Sequence, residues 1–335
     1  MPHRNIPNIP LRTVRALVTG AGGPAAVSVM KSLSADPSVS LIAADMDPWA
    51  AGLYLVPPEA RTLIPAGLDP EFVDAALARC IAMGVDVLIP TVDAELRPLG
   101  RARADFSRAG IELLLAPDQA LDVTLDKLAL AQRCAGIVRV PRTERFDQAA
   151  DLESWTYPVV VKPRTGSGSR DISVVGSSQA LARLDASADF LVQEYLPGEE
   201  YSIDVLADAA GHVVASVPRV RERVDSGVSV AGRTLHDAEL ERLGAAVATV
   251  TGLTYIANVQ FRRDAAGRPA LLEVNPRVPG TLPLTVASGV DMPRMALDSL
   301  RGRPLPDHAD FRDVAMVRFL EERFIELGEI RQIAA

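Results

Sequence analysis

Hydrophobic positions along the chain switch between a period near two and a period near three to four, and the order of the switches outlines the fold. Val14-Arg15-Ala16-Leu17-Val18-Thr19 reads as a strand, Gly20-Ala21-Gly22-Gly23-Pro24 as a turn, and the Ala/Val/Leu-rich run after it as a helix ending near Leu33. Ser40-Leu41-Ile42-Ala43-Ala44-Asp45 is the next strand. A helix over 70–83, a strand over 86–90 and a third unit reaching Leu115 continue the alternation. Strands alternating with helices predict an α/β, doubly wound parallel-sheet domain, placed at residues 1–118.

The pattern then changes. Residues 117–135 read as a loop and a helix, with Asp118, Asp122 and Thr124 as candidate caps and Lys127 in an otherwise apolar stretch. Pro158-Val159-Val160-Val161-Lys162-Pro163 and Ile172-Ser173-Val174-Val175 are strands joined by Thr165-Gly166-Ser167-Gly168-Ser169-Arg170. Such a hairpin forms a lid whose backbone amides close over phosphates, although an exposed loop has the same composition. Lys162 emerges at the end of a buried strand, where an ammonium is costly unless it meets an anion. Phe190-Leu191-Val192-Gln193-Glu194-Tyr195-Leu196 is a further strand, and Pro197-Gly198-Glu199-Glu200 a hinge into Tyr201-Ser202-Ile203-Asp204-Val205-Leu206. A smaller lid, 119–196, and a larger base, 197–335, follow from that hinge. In the base, 241–250 is an amphipathic helix stopped by Gly252, and two helical stretches after Pro276 end at Leu320-Glu321-Glu322-Arg323.

A length of 335 residues suggests two or three domains, and 48% hydrophobic residues with mixed charge describe an ordinary globular protein. The net charge of -8 disfavours a nucleic-acid or membrane-surface partner, either of which needs a basic footprint. Residues 1–15, broken by Pro2, Pro7 and Pro10, lack the apolar core of a signal peptide, and the expected location is the cytoplasm. Cys80 and Cys134 have no metal or redox spacing, and His3, His212, His236 and His308 are scattered.

Candidate chemistry concentrates in Leu271-Leu272-Glu273-Val274-Asn275-Pro276-Arg277, read with Asn258-Val259-Gln260-Phe261. Side chains of a strand alternate faces, which puts Glu273 and Asn275 on one face and Leu272 and Val274 on the other. The turn-rich Asp264-Ala265-Ala266-Gly267-Arg268-Pro269 lets the segments pair and brings Gln260 beside Glu273 and Asn275. Those oxygens suit Mg²⁺ or Mn²⁺ together with nucleotide phosphates, and Arg277 suits negative charge beside the metal; a hairpin with one wet face is the plainer alternative. The glycine turn at 20–24 with Asp45 is an incomplete dinucleotide fingerprint. Thr91, Asp93 and Glu95 follow a strand's carboxyl end, as ligand groups or as caps. Arg219, Arg221 and Arg223 alternate and would share a strand face able to receive an acid, with Arg233 a further candidate; for any one of the three a solvated strand edge is the plainer account.

In order, a lysine before a lid, a lysine and Gly/Ser loop within it, an acidic hinge and a Gln…Glu-x-Asn-x-Arg hairpin resemble the ATP-grasp superfamily. The hairpin is most similar to the synthetase half of the carbamoyl-phosphate synthase large subunit and its smaller relatives. The resemblance covers about residues 12–325. It implies a pre-ATP-grasp domain followed by a two-subdomain α+β ATP-grasp fold, with ATP and Mg²⁺ as cofactors. It further implies that Lys127 and Lys162 contact ATP phosphates and that Gly166, Ser167, Gly168 and Ser169 form the phosphate loop. Gln193, Glu194, Tyr195 and Leu196 would form the adenine hinge, with Glu194 near the exocyclic amine, and Glu200 would bind the ribose. Gln260, Glu273 and Asn275 would hold the metal, and Arg277 would face the transferring phosphoryl group.

Two departures stand out: Gln260 where many relatives have a carboxylate, and Val278-Pro279-Gly280-Thr281 after Arg277. The expected activity is ligation of a small carboxylic acid, amino acids included, to an amine through an acylphosphate, with small molecules as partners and a homodimer as a candidate assembly. An ATP-binding regulatory module and an NAD(P)-dependent oxidoreductase are the rivals.

Overall fold

The computed structural model describes residues 13–149, 151–166, 171–225 and 228–334. Five parallel strands, β1 (Val14–Val18), β2 (Val39–Asp45), β3 (Arg61–Leu63), β4 (Val87–Ile89) and β5 (Glu112–Leu113), form the first sheet in the order β3-β2-β1-β4-β5. The central strands β1 and β4 are apolar and buried apart from Arg15, because helices cover the middle of the sheet, while its outer strands carry partly exposed polar residues. The helix Pro24–Leu33 starts with proline in its first turn, where a missing N–H costs nothing. β1 and β4 end beside each other, with the glycine turn and Thr91 following them, and this carboxyl edge faces the rest of the molecule.

A four-stranded antiparallel sheet follows, ordered β6-β9-β7-β8, with β6 (Thr143–Arg145), β7 (Val159–Pro163), β8 (Ser173–Val175) and β9 (Phe190–Glu194). It has its own small core of Phe146, Trp155, Val159, Val161, Leu181 and Val192, separate from the large core shared by the other two sheets. The base is a six-stranded antiparallel sheet ordered β14-β13-β10-β11-β12-β15: β10 (Glu200–Ala207), β11 (Val213–Asp225), β12 (Val228–Thr234), β13 (Tyr255–Arg263), β14 (Pro269–Asn275) and β15 (Ala315–Val317). The helix Ala238–Thr251 packs on it and ends at Gly252, whose φ of 70° is the left-handed C-cap that the sequence signalled.

Two sequence expectations need correction. Residues 117–135 are two helices, Asp118–Thr124 and Lys127–Cys134, and the second is capped by Asp126, whose carboxylate accepts from the amides of Leu128 and Ala129. Asp118, Asp122 and Thr124 lie within the first helix and cap neither. After Pro276 the helices are Leu282–Ala287 and Met292–Leu300, but 320–323 is not helical. β15 is drawn into the sheet by β12, and the chain leaves it without regular structure until the helix Leu327–Ala334. No helix among the described residues is long and apolar enough to cross a membrane.

Candidate functional site

All three sheets converge on one cavity of about 940 Å³. Its floor is set by strand register. Gln260 stands opposite Glu273 and Asn258 opposite Asn275 across β13 and β14, while Ser202 and Asp204 of β10 stand opposite Gln260 and Asn258. Directly opposed residues of antiparallel strands share a face, so these six side chains form one polar field. A relay of amides orders it: Asn258 Nδ2 donates to Asp204 Oδ1 at 2.8 Å, Gln260 Nε2 to Asn258 Oδ1 at 3.4 Å, and Asn275 Nδ2 to Glu273 Oε1 at 3.5 Å. With the amide nitrogens engaged, the oxygens of Gln260 and Asn275 remain beside the Glu273 carboxylate. One residue departs from simple alternation: the register slips between Gln260 and Phe261, and the extra residue, Leu272, lines the cavity instead of the opposite apolar side.

Both sequence-identified lysines meet this floor. Lys127 opens its helix with its ammonium 3.8 Å from Glu273 Oε2, and it donates to the carbonyl oxygen of Gly166 at 2.6 Å, tying the start of the lid loop to the floor. Lys162, on β7, is only 5% exposed. Burial pushes its ammonium down to about 8, against the opposing attraction of Glu273, with the Lys127 charge pushing the same way as burial. Ser167, Gly168 and Ser169 lie outside the described residues.

At the hinge, Gln193, Glu194, Tyr195 and Leu196 all line the cavity, but their side chains differ in availability. Gln193 is buried, its amide donating to Thr143 Oγ1 at 2.8 Å. The Glu194 carboxylate accepts from Arg139 at 2.6 Å and from the amide of Arg142 at 3.1 Å, which holds it in place at the cavity wall. Arg139 also pairs with Asp264 at 2.9 Å, fastening the small sheet to the base hairpin. Glu200 lines the cavity and is ion-paired to Arg221.

The four candidate arginines separate. Bulges between Val220 and Val224 break the alternation that would have aligned Arg219, Arg221 and Arg223. Arg219 is 2% exposed and bidentate to Asp204, at 2.8 and 2.6 Å, with Thr285 also donating to that carboxylate; its guanidinium is spent inside the sheet and does not receive an acid. Arg221 lines the cavity, Arg223 is exposed, and Arg233 pairs with Glu222 at 2.8 Å on the surface. Neither Arg223 nor Arg233 lines the cavity.

The far end of the cavity is built by the parallel sheet: Gly20, Thr91 and Asp93 face Arg277 and Gly280. Arg277 is bidentate to Asp93, at 2.9 and 2.6 Å. Asp45 accepts from the amides of Gly22 at 2.7 Å and Asp47 at 3.0 Å, which closes the glycine turn on itself and removes the carboxylate that a dinucleotide ribose would need. Glu95 is 5% exposed and accepts from the Thr19 hydroxyl; burial raises its carboxyl to about 7.

Sequence reasoning passed over Asp204, Asn258 and Arg139. Asn258 was legible, since it stands two residues before Gln260 on the same strand face. The two cysteines are buried and free, their thiols pushed up to about 12 and about 11 by burial, and His212, His236 and His308 are outside the cavity. No group of three His, Cys, Asp or Glu side chains gathers anywhere among the described residues. With the Asp204 carboxylate taken by Arg219, Asn258 and Thr285, a cation at the floor would depend on Glu273 and amide oxygens, a hard, weakly charged set that suits Mg²⁺ completed by phosphate oxygens.

Residues 186–323 match the family model described as ATP-grasp in the biosynthetic pathway with Ter operon. The carbamoyl phosphate synthase large chain of Thermomicrobium roseum is 30% identical over 225 residues, covering 61% of this chain and 21% of that one. The arginine-specific large chain of Bacillus subtilis is 29% identical over 225 residues, 60% of this chain and 21% of its own. The chain thus spans about a fifth of the length of these relatives. Among solved structures, N5-carboxyaminoimidazole synthetase from Staphylococcus aureus, complexed with ADP, superposes with a TM-score of 0.73 at 16% identity over 92% of this chain and 83% of that one. L-amino acid ligase from Bacillus licheniformis gives 0.66 at 16% identity, over 87% and 75%.

Proposed function

We propose that this ATP-grasp chain is an ATP-dependent ligase that activates a small carboxylic acid, amino acids included, as an acylphosphate and transfers the acyl group to an amine. A substrate carboxylate oxygen attacks the γ-phosphorus, the bond to the bridging oxygen breaks, and ADP leaves. The amine then attacks the acyl carbon, expels phosphate and gives up a proton. ADP and phosphate are the by-products.

One observation carries the reading: Lys162, a buried ammonium on the wall of a cavity bordered by all three sheets, and Lys127, 3.8 Å from Glu273, both act on the Glu273 carboxylate that lines the same cavity. Two cations and one carboxylate in a low-dielectric cleft are poised for a polyanion accompanied by a divalent cation. In this reading Lys127 and Lys162 hold phosphates, with Gly166 to Ser169 as the loop above them. Gln193 to Leu196 border the base, with the Glu194 carboxylate held in place by Arg139. Glu200 holds the ribose. Gln260, Glu273 and Asn275 hold Mg²⁺, with Mn²⁺ as a substitute. Bound there, the metal neutralises phosphate charge as it spreads in the transition state. Arg277 and Arg221 face the acid, and Arg223 and Arg233 have no part. The three units 1–118, 119–196 and 197–335 then divide the labour as substrate wall, lid and catalytic floor.

The test is incubation with ATP, Mg²⁺ and a library of acids in the presence of hydroxylamine, which converts acylphosphate to hydroxamate. Acid-dependent ADP release with hydroxamate formation supports the ligase. Nucleotide binding without turnover across the library would instead indicate a regulatory module.

A further inference from the structure

Among the described residues three arginines line the cavity, and two of them are ion-paired: Arg277 to Asp93 and Arg221 to Glu200. Arg262 is the third. Its Nε donates to the carbonyl oxygen of Gly198 at 2.9 Å, while among the described residues it has no carboxylate partner and its terminal nitrogens make no hydrogen bond. Strand register fixes what stands beside it. Arg262 lies opposite Glu200 across β10 and β13, on the face that carries Gln260 two residues earlier. Two residues of strand span about 7 Å, so Arg262 is displaced by that much from the proposed metal floor toward the hinge, where Tyr195, Leu196 and Glu199 also line the cavity.

A carboxylate only accepts hydrogen bonds and a guanidinium only donates them, so the two side by side match a group that does both. A hydroxyl is such a group, whereas an anionic ligand placed here would be repelled by Glu200. We infer that Arg262 completes a ribose subsite: its terminal nitrogens donate to the oxygen of a ribose hydroxyl while the Glu200 carboxylate accepts that sugar's hydroxyl hydrogens. The inference rests on the proposed nucleotide reading and adds to it the residue that makes the site prefer ribonucleotides. The bond from Nε to Gly198 holds the guanidinium plane against the hinge, so the donors are in place before the sugar arrives. A nucleotide that lacks the contacted hydroxyl leaves the guanidinium without its acceptor in a cleft that the ligand has closed to water.

Titration calorimetry on the full chain with Mg²⁺ and ADP, 2′-deoxy-ADP or 3′-deoxy-ADP tests it. The wild type is expected to bind ADP about tenfold or more tighter than the deoxy form that lacks the contacted hydroxyl. Arg262→Met weakens ADP about tenfold, leaves that deoxy form nearly unaffected and so cuts the preference by the same factor, and Arg262→Lys recovers part of it. A wild type without preference overturns the inference, as does a preference undiminished in Arg262→Met. An equal loss for ADP and both deoxy forms also overturns it, since that marks a structural role at the hinge. Failure of ADP to bind the wild type at all would overturn the nucleotide reading itself, and the inference with it.

Discussion

Arg277 on the base and Asp93 on the parallel-sheet domain form a bidentate ion pair, at 2.9 and 2.6 Å, across 184 residues of sequence. Asp93 opens the helix that follows β4, so the carboxyl edge of the first sheet holds an arginine of the cavity wall in place. Holding the guanidinium at both nitrogens fixes its plane as well as its position. Asp93→Asn is expected to lower kcat about 10²-fold through misplacement of Arg277, with little change in the KM for ATP, and Asp93→Glu to recover part of the loss. Steady-state kinetics on the three proteins decide it; an equal loss in both variants with an unfolded far-UV spectrum would point to structure alone.

Glu273→Gln keeps shape and removes the floor's carboxylate. Because a metal ligand is felt most in the transition state, kcat should fall far more than nucleotide affinity. Near-parental turnover would count against the metal assignment.

Lys162 should make nucleotide binding depend on pH. Its ammonium, lowered to about 8 by burial, is charged below that value and neutral above it. A bound polyanion favours the charged form, so affinity falls and proton uptake on binding grows as pH rises through about 8. Titration calorimetry at pH 7 and pH 9, in buffers of different ionisation enthalpy, reads both effects. A flat profile would mean that Lys162 does not touch the nucleotide.

Glu95 predicts a pH effect of the opposite origin. Its folded carboxyl is raised to about 7 by burial, so it holds a proton that the unfolded chain has released. That contribution to stability is complete below the unfolded value near 4.5 and is lost as pH rises through about 7. Glu95→Gln should flatten the stability profile between those limits, as measured by denaturant unfolding.

The Asp204–Arg219 pair is wholly buried, and removing one partner strands a charge. Arg219→Met should cost about 3–5 kcal/mol in unfolding free energy. Arg233→Ala, on the surface, should cost at most about 1 kcal/mol.

The contrast between those two arginines shows where sequence reading stops. Alternation along 219–223 made three arginines equivalent, yet two bulges separated them and a carboxylate fifteen residues away consumed the first. Glu194 shows the same limit: its place at the hinge was legible, but its partner, Arg139, was not. Leu272 was assigned by strict period two to the apolar face, and one slipped register turned it into the cavity.

The chain by itself determined the strand-and-helix order, the helix stop at Gly252, the opposition of Gln260 to Glu273, and the need of Lys162 for an anion. These follow from local periodicity, turn chemistry and the cost of leaving an ammonium buried without an anion, all of which act over a few residues or on one side chain. Tertiary structure alone decided that Lys127 also meets the hairpin, that Asp93 holds Arg277, that Arg219 is buried against Asp204, and that Asp45 closes its own turn. Ion pairing and burial depend on which surfaces meet, and no local pattern encodes the approach of groups far apart along the chain.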